Sequence, residues 1–600
     1  MTEPLSPRYD MLRGARSVRG RRWSLRAGAG AMRELSTLAD PVTSRLLAGR
    51  EVAAERVETF LSPKLRDALP DPSSLKDMDA ACEVILDAIA SNRAVTVFAD
   101  YDVDGGTSAA QLIRWARAMG AEWGLYVPDR ILEGYGPSRE AFETLKARGQ
   151  DLVITVDCGA AAKLALEGAS DIGLEVVVID HHLMSGELPD AAALVNPNRP
   201  DDDSGMGDLA AAGVTFLLVV ALNRAARARG HTDLPDPMEL LGLAALGTVC
   251  DVVPLRGLNR AIVHQGLKVL SRRKQVGVEA LAEVARAGDA LSVYDLGFLL
   301  GPRINAGGRI GDADMGARLL STDDAAQAAR IADELDRINT DRRDLQTHVQ
   351  REAMAQAQRL DHPDLPLLIL ADESWHPGII GIVAGRLKDR FEKPVILIGG
   401  SASNASDGLG KGSGRSVRGV NLGAAVVAAK AGGLLVSGGG HAMAAGLGLD
   451  FAKLAEFRTF MESEVRDDAR IARAARSTAV DLILEPSAIG LGLLNLFDKV
   501  GPFGAGNPKP VVAVPDMRLT YADRLRGGHV RCTFEDVHGE RLKATAFRVE
   551  ETGLDAALFE NGARRFHVLG TLKRNSFRGR ESVDFTLLDL AEAQGGLAYA

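Results

Sequence analysis

The sequence predicts two α/β units that are joined by a long helix and followed by a small β-barrel. In residues 75–320 and again in 363–474, short apolar runs alternate with helical stretches, the pattern of buried strands covered by helices. Residues 321–362 between them are rich in Ala, Arg, Asp and Gln with apolar residues at helical spacing, which indicates a solvated connecting helix. Residues 475–600 change to short alternating strands with glycine turns, which is typical of a small barrel.

The chain before residue 75 is predicted to be a lead-in that begins with a basic arm. Residues 1–26 carry seven arginines against Glu3 and Asp10, and no apolar period is visible up to about residue 30. Such a composition predicts a flexible arm at the start of the 1–74 lead-in.

The first α/β unit is predicted to hold a parallel sheet, because its strands are continuous apolar runs. These runs lie at 94–99, 152–156 and 176–179, and 194–195 is expected to start a fourth strand. Helices are predicted from about Thr107 to Met119 and at 209–228 and 238–247.

The second unit and the barrel are predicted in the same way. The second unit has apolar runs at 367–370 and 395–398 around a helix near 379–390, followed by glycine-rich loops at 408–414 and 438–440. Barrel strands are predicted at 529–534, 542–547, 565–572 and 581–588.

Composition excludes several classes of protein. The chain has 600 residues, of which 46% are hydrophobic and 25% charged, so wholesale disorder is excluded. Its four cysteines form no C-x-x-C, which excludes a disulfide scaffold or thiolate zinc site and fits a cytoplasmic location. The net charge of -9 argues against a generic nucleic-acid binder. We expect no secretory signal and no membrane span, and we find no P-loop, G-x-S-x-G or H-E-x-x-H motif.

Acidic and histidine residues follow the apolar runs at the point where each run ends. They are Asp100, Asp102 and Asp104 after the first run, Asp157 after the second, Asp180, His181 and His182 after the third, and Asp251 at the end of a further apolar run. Because the carboxyl ends of parallel strands meet at one edge of a sheet, we expect these side chains to converge. Clustered carboxylates repel one another, and with one or two imidazoles they suit Mn²⁺ or Mg²⁺. The ligand count allows two ions roughly 3.5–4 Å apart, the arrangement used for displacement at phosphorus.

Each of these signals also has an ordinary structural explanation. A single Asp after a strand is most often a turn former or a helix cap, and a His pair is most often surface or core. The coincidence of four such loops in one α/β unit is what favours a metal site. Cys158 and Cys250, which lie beside the acids, are expected to pack inward as small apolar residues rather than to act as nucleophiles.

The motifs that carry these acids resemble those of a known superfamily. DYDVDG at 100–105, DCG at 157–159, DHH at 180–182 and Asp251 resemble the four motifs of the DHH phosphoesterases. GPRINAGGR at 301–309, WHPGIIG at 375–381, GGGH at 438–441 and GPFGAGNP at 501–508 extend the resemblance to the RecJ single-strand-specific exonucleases. The resemblance implies a parallel-sheet DHH domain, a DHH-associated α/β domain that closes over the substrate, and a terminal barrel of OB type.

The resemblance also implies roles for the acids. Asp102 and Asp104 would each hold one ion, Asp157 would bridge both, and His181 and Asp251 would complete the shell of the second. Asp180 would orient a histidine, His182 would face the scissile phosphate, and Asp100 would lie near the first ion. Many members have a histidine four residues before the first metal-binding Asp, where this chain has Phe98, so the first ion would have fewer protein ligands.

Substrate-binding residues are implied on both sides of the connecting helix. Ser413, Arg415 and His441 would hold phosphate in the DHH-associated domain, and Arg303, Asn305 and Arg309 would add contacts from the GPRINAGGR motif. Glycine loops let backbone N–H groups approach an anion, and arginine adds a two-pronged donor. Residues 516–580 carry 13 Lys and Arg against nine Asp and Glu, which favours binding of single-stranded DNA by the barrel.

The function that the resemblance implies is 5′-to-3′ hydrolysis of single-stranded DNA to 5′-mononucleotides by a two-metal-ion mechanism, in DNA recombination and repair. A single-strand-binding protein and a DNA helicase are the expected partners of a cytoplasmic, monomeric enzyme. One alternative is a DHH phosphodiesterase acting on cyclic dinucleotides or very short oligonucleotides, but such enzymes lack the barrel and the GPFGAGNP junction. A non-catalytic DNA-binding scaffold is another, but it should have lost metal ligands that this chain retains.

Overall fold

A computed structural model describes most of the chain. The described residues are 17–26, 32, 34–130, 132–184, 186–400, 408–560, 564–577 and 579–593.

The first described residues of the lead-in are attached to the C-terminal part of the chain. Strand β1 (Arg22–Leu25) pairs in parallel with residues Ser477–Val480, and Trp23 is buried, its indole N–H donating to Asp589. The prediction of a flexible arm is therefore wrong for residues 17–26, because one buried aromatic residue and a strand pairing hold this segment in place. Residues 1–16 and 27–30 lie outside the described part. Three helices follow: α1 (Pro41–Ala48), α2 (Val57–Leu61) and α3 (Leu65–Ala68).

The first α/β unit contains the predicted parallel sheet, with strand order β3-β2-β4-β5-β6. Its strands are β2 (Val95–Ala99), β3 (Gly124–Tyr126), β4 (Leu152–Val156), β5 (Glu175–Ile179) and β6 (Ala193–Val195). The short edge strand β3, half exposed, has no continuous apolar run, and the sequence pattern missed it. Both faces of the sheet are buried, since Val97 and Ile154 join one core cluster and Phe98 and Val153 another.

Helices cover this sheet and extend the unit. They are α4 (Met78–Ala90), α5 (Val103–Ala118), α6 (Arg139–Ala147), α7 (Lys163–Asp171), α8 (Ala211–Ala228), α9 (Leu241–Cys250), α10 (Gly257–Leu270), α11 (Val276–Val284), a π-helix (Asp295–Leu300), α12 (Gly301–Ile310) and α13 (Met315–Ser321). By length and composition α8 could cross a membrane, but 72% of it is buried in the core of this unit. The apolar run before Asp251 is the helix α9, so this acid follows a helix and not a strand.

A single 36-residue helix, α14 (Ala325–Leu360), joins the two units, as predicted. The second unit has strand order β10-β11-β9-β8-β7, in which only β7 and β8 run parallel. Its elements are β7 (Leu368–Asp372), α15 (Pro377–Phe391), β8 (Val395–Gly400), β9 (Leu409–Arg415), α16 (Leu422–Ala431), β10 (Ser437–His441), β11 (Ala444–Asp450), α17 (Leu454–Glu464) and α18 (Arg466–Ala474).

The two glycine-rich segments of this unit are strands, which corrects the predicted loops. The glycines are needed where neighbouring side chains press on the sheet: a Cβ on Gly412 would lie 2.5 Å from Leu447, and one on Gly414 2.6 Å from Leu422. Glycine in a strand commonly marks such a close approach. Composition alone suggested loops because glycine is depleted in ordinary strands.

The last part of the chain is a closed barrel. Strands β14, β15, β16, β18 and β17 pair in that order, β17 pairs back with β14, and β13 adds to β14. The elements are β12 (Ser477–Val480), β13 (Leu482–Ile483), α19 (Leu491–Val500), β14 (Val511–Leu525), β15 (His529–Glu535), β16 (Arg541–Ala546), α20 (Val549–Thr552), α21 (Asp555–Phe559), β17 (Arg565–Phe577) and β18 (Arg580–Glu592). The predicted barrel is confirmed, and a backbone hydrogen bond from Leu255 to Ala505 ties it to the first unit.

Candidate active site

Three aspartates meet where β2 passes into α5. Asp100 follows the strand and is buried. Asp102 caps the helix, its Oδ1 accepting from the backbone N–H groups of Asp104 (2.8 Å) and Gly105 (3.2 Å). Asp104 lies in the first turn, and its two oxygens accept from Ala211 and Ala212 at the start of α8. Helix capping and a neighbouring helix N-terminus thus hold two carboxylates in place.

Asp157 lies at the end of the adjacent strand β4 and is 2% exposed. Its backbone is left-handed, with φ +61°. Its carbonyl accepts a hydrogen bond from the hydroxyl of Tyr135, at 3.1 Å. A non-glycine residue in this conformation at a functional position is a strained residue that the surrounding structure must hold.

The two histidines after β5 have different surroundings. His182 is bonded through Nδ1 to Asp180 (2.7 Å), and its ring lies 3.2 Å from the Tyr135 hydroxyl. His181 instead directs Nε2 at three carboxylates: Asp157 at 3.3 Å, Asp251 at 3.7 Å and Asp104 at 3.8 Å. The structure therefore brings Asp251, from the end of α9, to the same point as the acids that follow the strands.

The pKa values of the cluster reflect burial and crowding. Burial, and then the charge of neighbouring carboxylates, raises the pKa of Asp100, Asp104 and Asp157 well above the ordinary value, and raises that of Asp251 to about 7. Repelling carboxylates in a buried space need positive charge to stay ionised.

The pKa values of the two histidines are shifted in opposite directions. Burial, and then the charge of His182, lowers the pKa of His181, so its ring is neutral. Burial is the largest single influence on the pKa of His182 and lowers it, but the hydrogen bond to Asp180 and the charges of Asp180, Asp251 and Asp100 together raise the pKa above its ordinary value. Burial raises the pKa of Asp180, but the same bond, the charge of His182 and backbone hydrogen bonds from Ala160 and His182 together lower it.

These residues fit divalent cations. Three sets of ligand atoms lie close together: Asp100 with Asp102 and Asp157, Asp104 with His181 and Asp251, and Asp157 with both histidines. His181 Nε2 and Asp100 Oδ1 are buried and have no hydrogen-bond partner within the described part of the chain. Buried polar atoms are seldom left unpaired, and a cation would satisfy both. A donor set of carboxylates with one neutral imidazole suits Mn²⁺ or Mg²⁺.

Phe98 lies in the core of the first unit. It is fully buried and stacks on Tyr126 with ring centroids 5.2 Å apart, with Phe142 on another side at 6.2 Å. Its ring fills the sheet face opposite to that of Val97 and Ala99, and it offers no ligand.

An arginine cluster stands beside the acids. Arg309 donates from Nη1 to the carbonyl of Gly378 (3.0 Å) and so joins α12 to the N-terminus of α15. Burial, and then the charges of Arg130, Arg342 and Arg415, lowers the pKa of Arg309 to about 10. Guanidinium groups that lie close together and repel one another in this way suit an anion.

Ser413 and Arg415 belong to the same cluster. Arg415 donates from Nη1 to Ser413 Oγ at 3.2 Å, and burial, then the charge of Arg130, lowers its pKa. A Cβ on Gly381 of α15 would lie 2.8 Å from Ser413 Oγ and 3.2 Å from Arg415 Nη2. The WHPGIIG helix therefore packs directly beneath these two side chains.

The other predicted substrate residues are placed differently. Arg303 is buried and bound to Asp336 of α14 at 2.8 Å and to the carbonyl of Leu299, so its guanidinium holds α12 against the connecting helix; its contact with substrate stays a prediction. Asn305 is half-buried on the same helix, and His441 is exposed at the end of β10.

Sequence reasoning missed Tyr101, Arg130, Tyr135 and Arg342. The guanidinium of Arg130 lies 4.9 Å from the ring centre of Tyr101. Arg130 and Tyr135 follow β3, so recognising that strand would have marked their loop as part of the sheet's carboxyl edge. Arg342 lies on the connecting helix, whose charged composition indicated only a solvated surface.

The two cysteines beside the acids lie in surroundings that disfavour the thiolate form. Burial raises the pKa of both Cys158 and Cys250 above the ordinary thiol value. A buried thiol in acidic surroundings stays protonated, so both fit the inward-packing role.

Comparisons with known proteins agree with this architecture. Three family models match: the DHH family N-terminal domain at residues 94–248, the DHHA1 domain at 364–467 and the RecJ OB domain at 480–589. The chain is 36% identical to the single-stranded-DNA-specific exonuclease RecJ of Dickeya dadantii, over 94% of this chain and 98% of the relative. It is 35% identical to the Escherichia coli protein of the same name, over 91% of this chain and 95% of the relative.

A solved structure is similar over almost the full chain. The crystal structure of RecJ from Thermus thermophilus in complex with Mn²⁺ matches with a TM-score of 0.77 and 30% identity, covering 96% of this chain and 79% of that one. The complex of the same protein with Mg²⁺ matches with a TM-score of 0.73 and 29% identity, with the same coverage.

Proposed function

This chain belongs to the RecJ family of single-stranded-DNA-specific exonucleases, within the DHH phosphoesterases, and we propose that it degrades DNA strands from the 5′ end to 5′-mononucleotides with two divalent cations. The observation that carries the proposal is the meeting of four acid-bearing motifs at one point, where Asp157 and His181 are each shared between ligand sets. Sharing of ligands is what two adjacent ions require.

The ligands are divided between the two ions in the proposed centre. Asp102, with Asp100, would hold the first, Asp104, His181 and Asp251 the second, and Asp157 both. When bound, Mn²⁺ or Mg²⁺ would activate water and stabilise negative charge on the phosphate. The chain's own part is to keep His181 neutral, so that Nε2 can bind a metal, and to hold the strained Asp157 in place.

Other groups would act on the substrate. His182, whose pKa is raised with the help of its hydrogen bond to Asp180, would donate to the scissile phosphate group. The cluster of Arg309, Arg415 and Ser413 would hold the strand's 5′-terminal phosphate, because it presents forked donors close to the acids.

The barrel would bind the strand beyond this site. Tyr521, Thr533 and Lys543 are register partners across β14, β15 and β16, so an exposed ring and an exposed cation share one row of the barrel surface. Aromatic faces and cations of this kind bind single strands without sequence preference. We assign catalysis to residues 75–320, substrate closure to 363–474 with 321–362 as connector, and strand binding to 475–600.

The cellular setting that we propose is the one expected for this family. A helicase and a single-strand-binding protein would supply and present the strand to a monomeric enzyme in the cytoplasm, in recombination and repair.

The test is digestion of a long DNA strand labelled at its 5′ or its 3′ end, with Mn²⁺, Mg²⁺ or EDTA. We expect the 5′ label to appear first as a mononucleotide, with Mn²⁺ or Mg²⁺ only, and duplex to resist. Release of the 3′ label as the first mononucleotide would overturn the direction, and preferential hydrolysis of cyclic dinucleotides would favour the alternative phosphodiesterase. A preparation of Asp157→Asn, purified identically, controls for contaminating nucleases.

A further inference from the structure

Two stacked aromatic rings are exposed beside the metal-binding unit. Tyr294 and Phe298 have ring centroids 5.0 Å apart and an interplanar angle of 20°. Their exposures are 52% and 64%, high values for such large apolar side chains. Keeping two large aromatic rings in water forgoes the favourable free energy of burying them, so a pair exposed in this way indicates a binding surface.

The π-helix, which begins directly after Tyr294 and contains Phe298, is fixed to α9, the helix that ends directly before Asp251. Leu296 and Leu300 of the π-helix are fully buried, and the carbonyl of Leu296 accepts from Cys250 Sγ at 3.4 Å. Cys250 is the last residue of α9, directly before Asp251. π-helical turns are rare and occur frequently at functional sites. The rings therefore lie on the outer side of an element whose inner side contacts the residue next to a proposed metal ligand.

The barrel approaches the pair from the other end. Lys573 of β17 is exposed, and its Nζ lies 5.8 Å from the ring centre of Tyr294. A Cβ on Gly504, at the entrance to the barrel, would lie 3.7 Å from Val293. The stacked pair thus lies between α9, which ends before Asp251, on one side and Lys573 of the barrel strand β17 on the other.

We propose that Tyr294 and Phe298 form a stacking platform for the bases of single-stranded DNA between the barrel and the metal centre, with Lys573 receiving a backbone phosphate. The inference rests on the proposed function, since it needs a strand that enters from the barrel. Bases stack on aromatic faces regardless of sequence, and the lysine supplies the charge that a polyphosphate strand requires. An apolar protein partner would match the rings but not the cation beside them.

The test compares DNA binding by the wild-type protein and by a variant without the two rings, each with an intact strand and with strands that lack one base. The full chain and a Tyr294→Ala/Phe298→Ala variant are titrated in EDTA with oligothymidylates that carry one abasic site, moved one position at a time from the 5′ end. For the wild type, we expect one or two positions at which the missing base weakens binding about tenfold. The variant should bind the intact strand about tenfold more weakly and show less than about a twofold effect at those positions.

Controls separate stacking from misfolding. Tyr294→Phe/Phe298→Tyr retains both rings and should keep the wild-type abasic profile, while Ile471→Ala, an apolar truncation at a side chain 59% exposed on α18, should not change it. An unchanged profile in the double alanine variant would overturn the platform. So would a wild-type dimer that the variant converts to monomer, since the rings would then form a subunit interface. Hydrolysis of the intact strand by wild type with Mn²⁺ tests the proposed function separately.

Discussion

Asp157 combines more constraints than any other acid of the site that we describe. It is buried, left-handed in backbone conformation, 3.3 Å from His181 and part of two ligand sets. Its pKa is raised by burial and then by four neighbouring carboxylates, so its ionised form is costly without metal. An ionised Asp157 would therefore destabilise the metal-free protein by charge repulsion, and bound cations would remove that repulsion.

Replacing Asp157 with Asn tests this description at the residue scale. Asn tolerates the left-handed conformation better than Ala, so the backbone should be retained. We expect loss of hydrolysis with Mn²⁺, together with an unchanged or higher melting temperature in EDTA, because one repelling carboxylate is gone. Asp467→Asn on the exposed helix α18 is the matched control. More than about a tenth of the wild-type rate in the Asp157 variant would contradict its role as a shared ligand.

Arg415 should act on the substrate and not on the metals. Its guanidinium reaches Ser413 and the carbonyl of Gly414, and it cannot ligate a cation. Arg415→Ala should lower kcat/KM by about 1.5–3 kcal/mol of transition-state binding, with partial rescue by Lys, which lacks the fork. Arg418→Ala, an exposed arginine three residues on, should leave kcat/KM close to wild type. A tenfold loss of Mn²⁺ affinity in Arg415→Ala, measured by calorimetry without DNA, would place this side chain at the metals instead.

At the scale of an element, the start of α5 determines where the first carboxylates lie. Gly105 and Gly106 are adjacent and both buried in this helix. A Cβ on Gly105 would lie 2.4 Å from the carbonyl oxygen of Asp100, whereas one on Gly106 would have only ordinary contacts, the nearest at 3.6 Å from Ala317.

The two glycines form a matched pair. Gly105→Ala should displace the backbone of Asp100 and weaken Mn²⁺ binding at least tenfold, because a backbone oxygen cannot move aside as a side chain can. Gly106→Ala should bind Mn²⁺ normally and be neutral or more stable by about 0.5–1 kcal/mol, since Ala favours helix. Calorimetric titration and thermal melts measure both effects. Equal Mn²⁺ affinities for the two variants would show that Asp100 need not be held by this close approach.

At the scale of the molecule, one buried arginine joins three segments. Arg260 of α10 donates to the carbonyls of Phe60, Val500 and Gly501, and its guanidinium lies 3.8 Å from the ring centre of Phe60. Burial, and then the charge of Arg50, lowers its pKa to about 10. The lead-in, the first α/β unit and the entrance to the barrel therefore share one side chain.

Arg260→Ala should lower the free energy of unfolding by about 3 kcal/mol, because it removes the hydrogen bonds to three carbonyls, of which that of Val500 keeps a second donor in Asn507, and opens a cavity. Arg272→Ala, on the surface just after the same helix, should change it by no more than about 0.5 kcal/mol. Denaturant melts of both variants give the comparison. A change in Arg260→Ala no larger than that of the control would mean that other contacts hold the three segments together.

The sequence by itself determined the parallel sheet, the connecting helix, the barrel and the grouping of the acids that follow strands. These features depend on local periodicity and on burial on both faces, which neighbouring residues encode. Asp100, Asp157 and Asp180 could be placed together because any strands that run parallel bring their carboxyl ends to one edge.

Only the tertiary structure decided which side chains share a space when they come from elements of different kinds. Asp251 reaches the site from the end of a helix, Arg130 from the loop after a half-exposed edge strand, and Arg342 from the connecting helix. Arg303 is bound to Asp336 of the connecting helix, a contact that its motif does not indicate. The physical reason is that such contacts depend on how distant elements pack, and no short-range pattern in the chain records that packing.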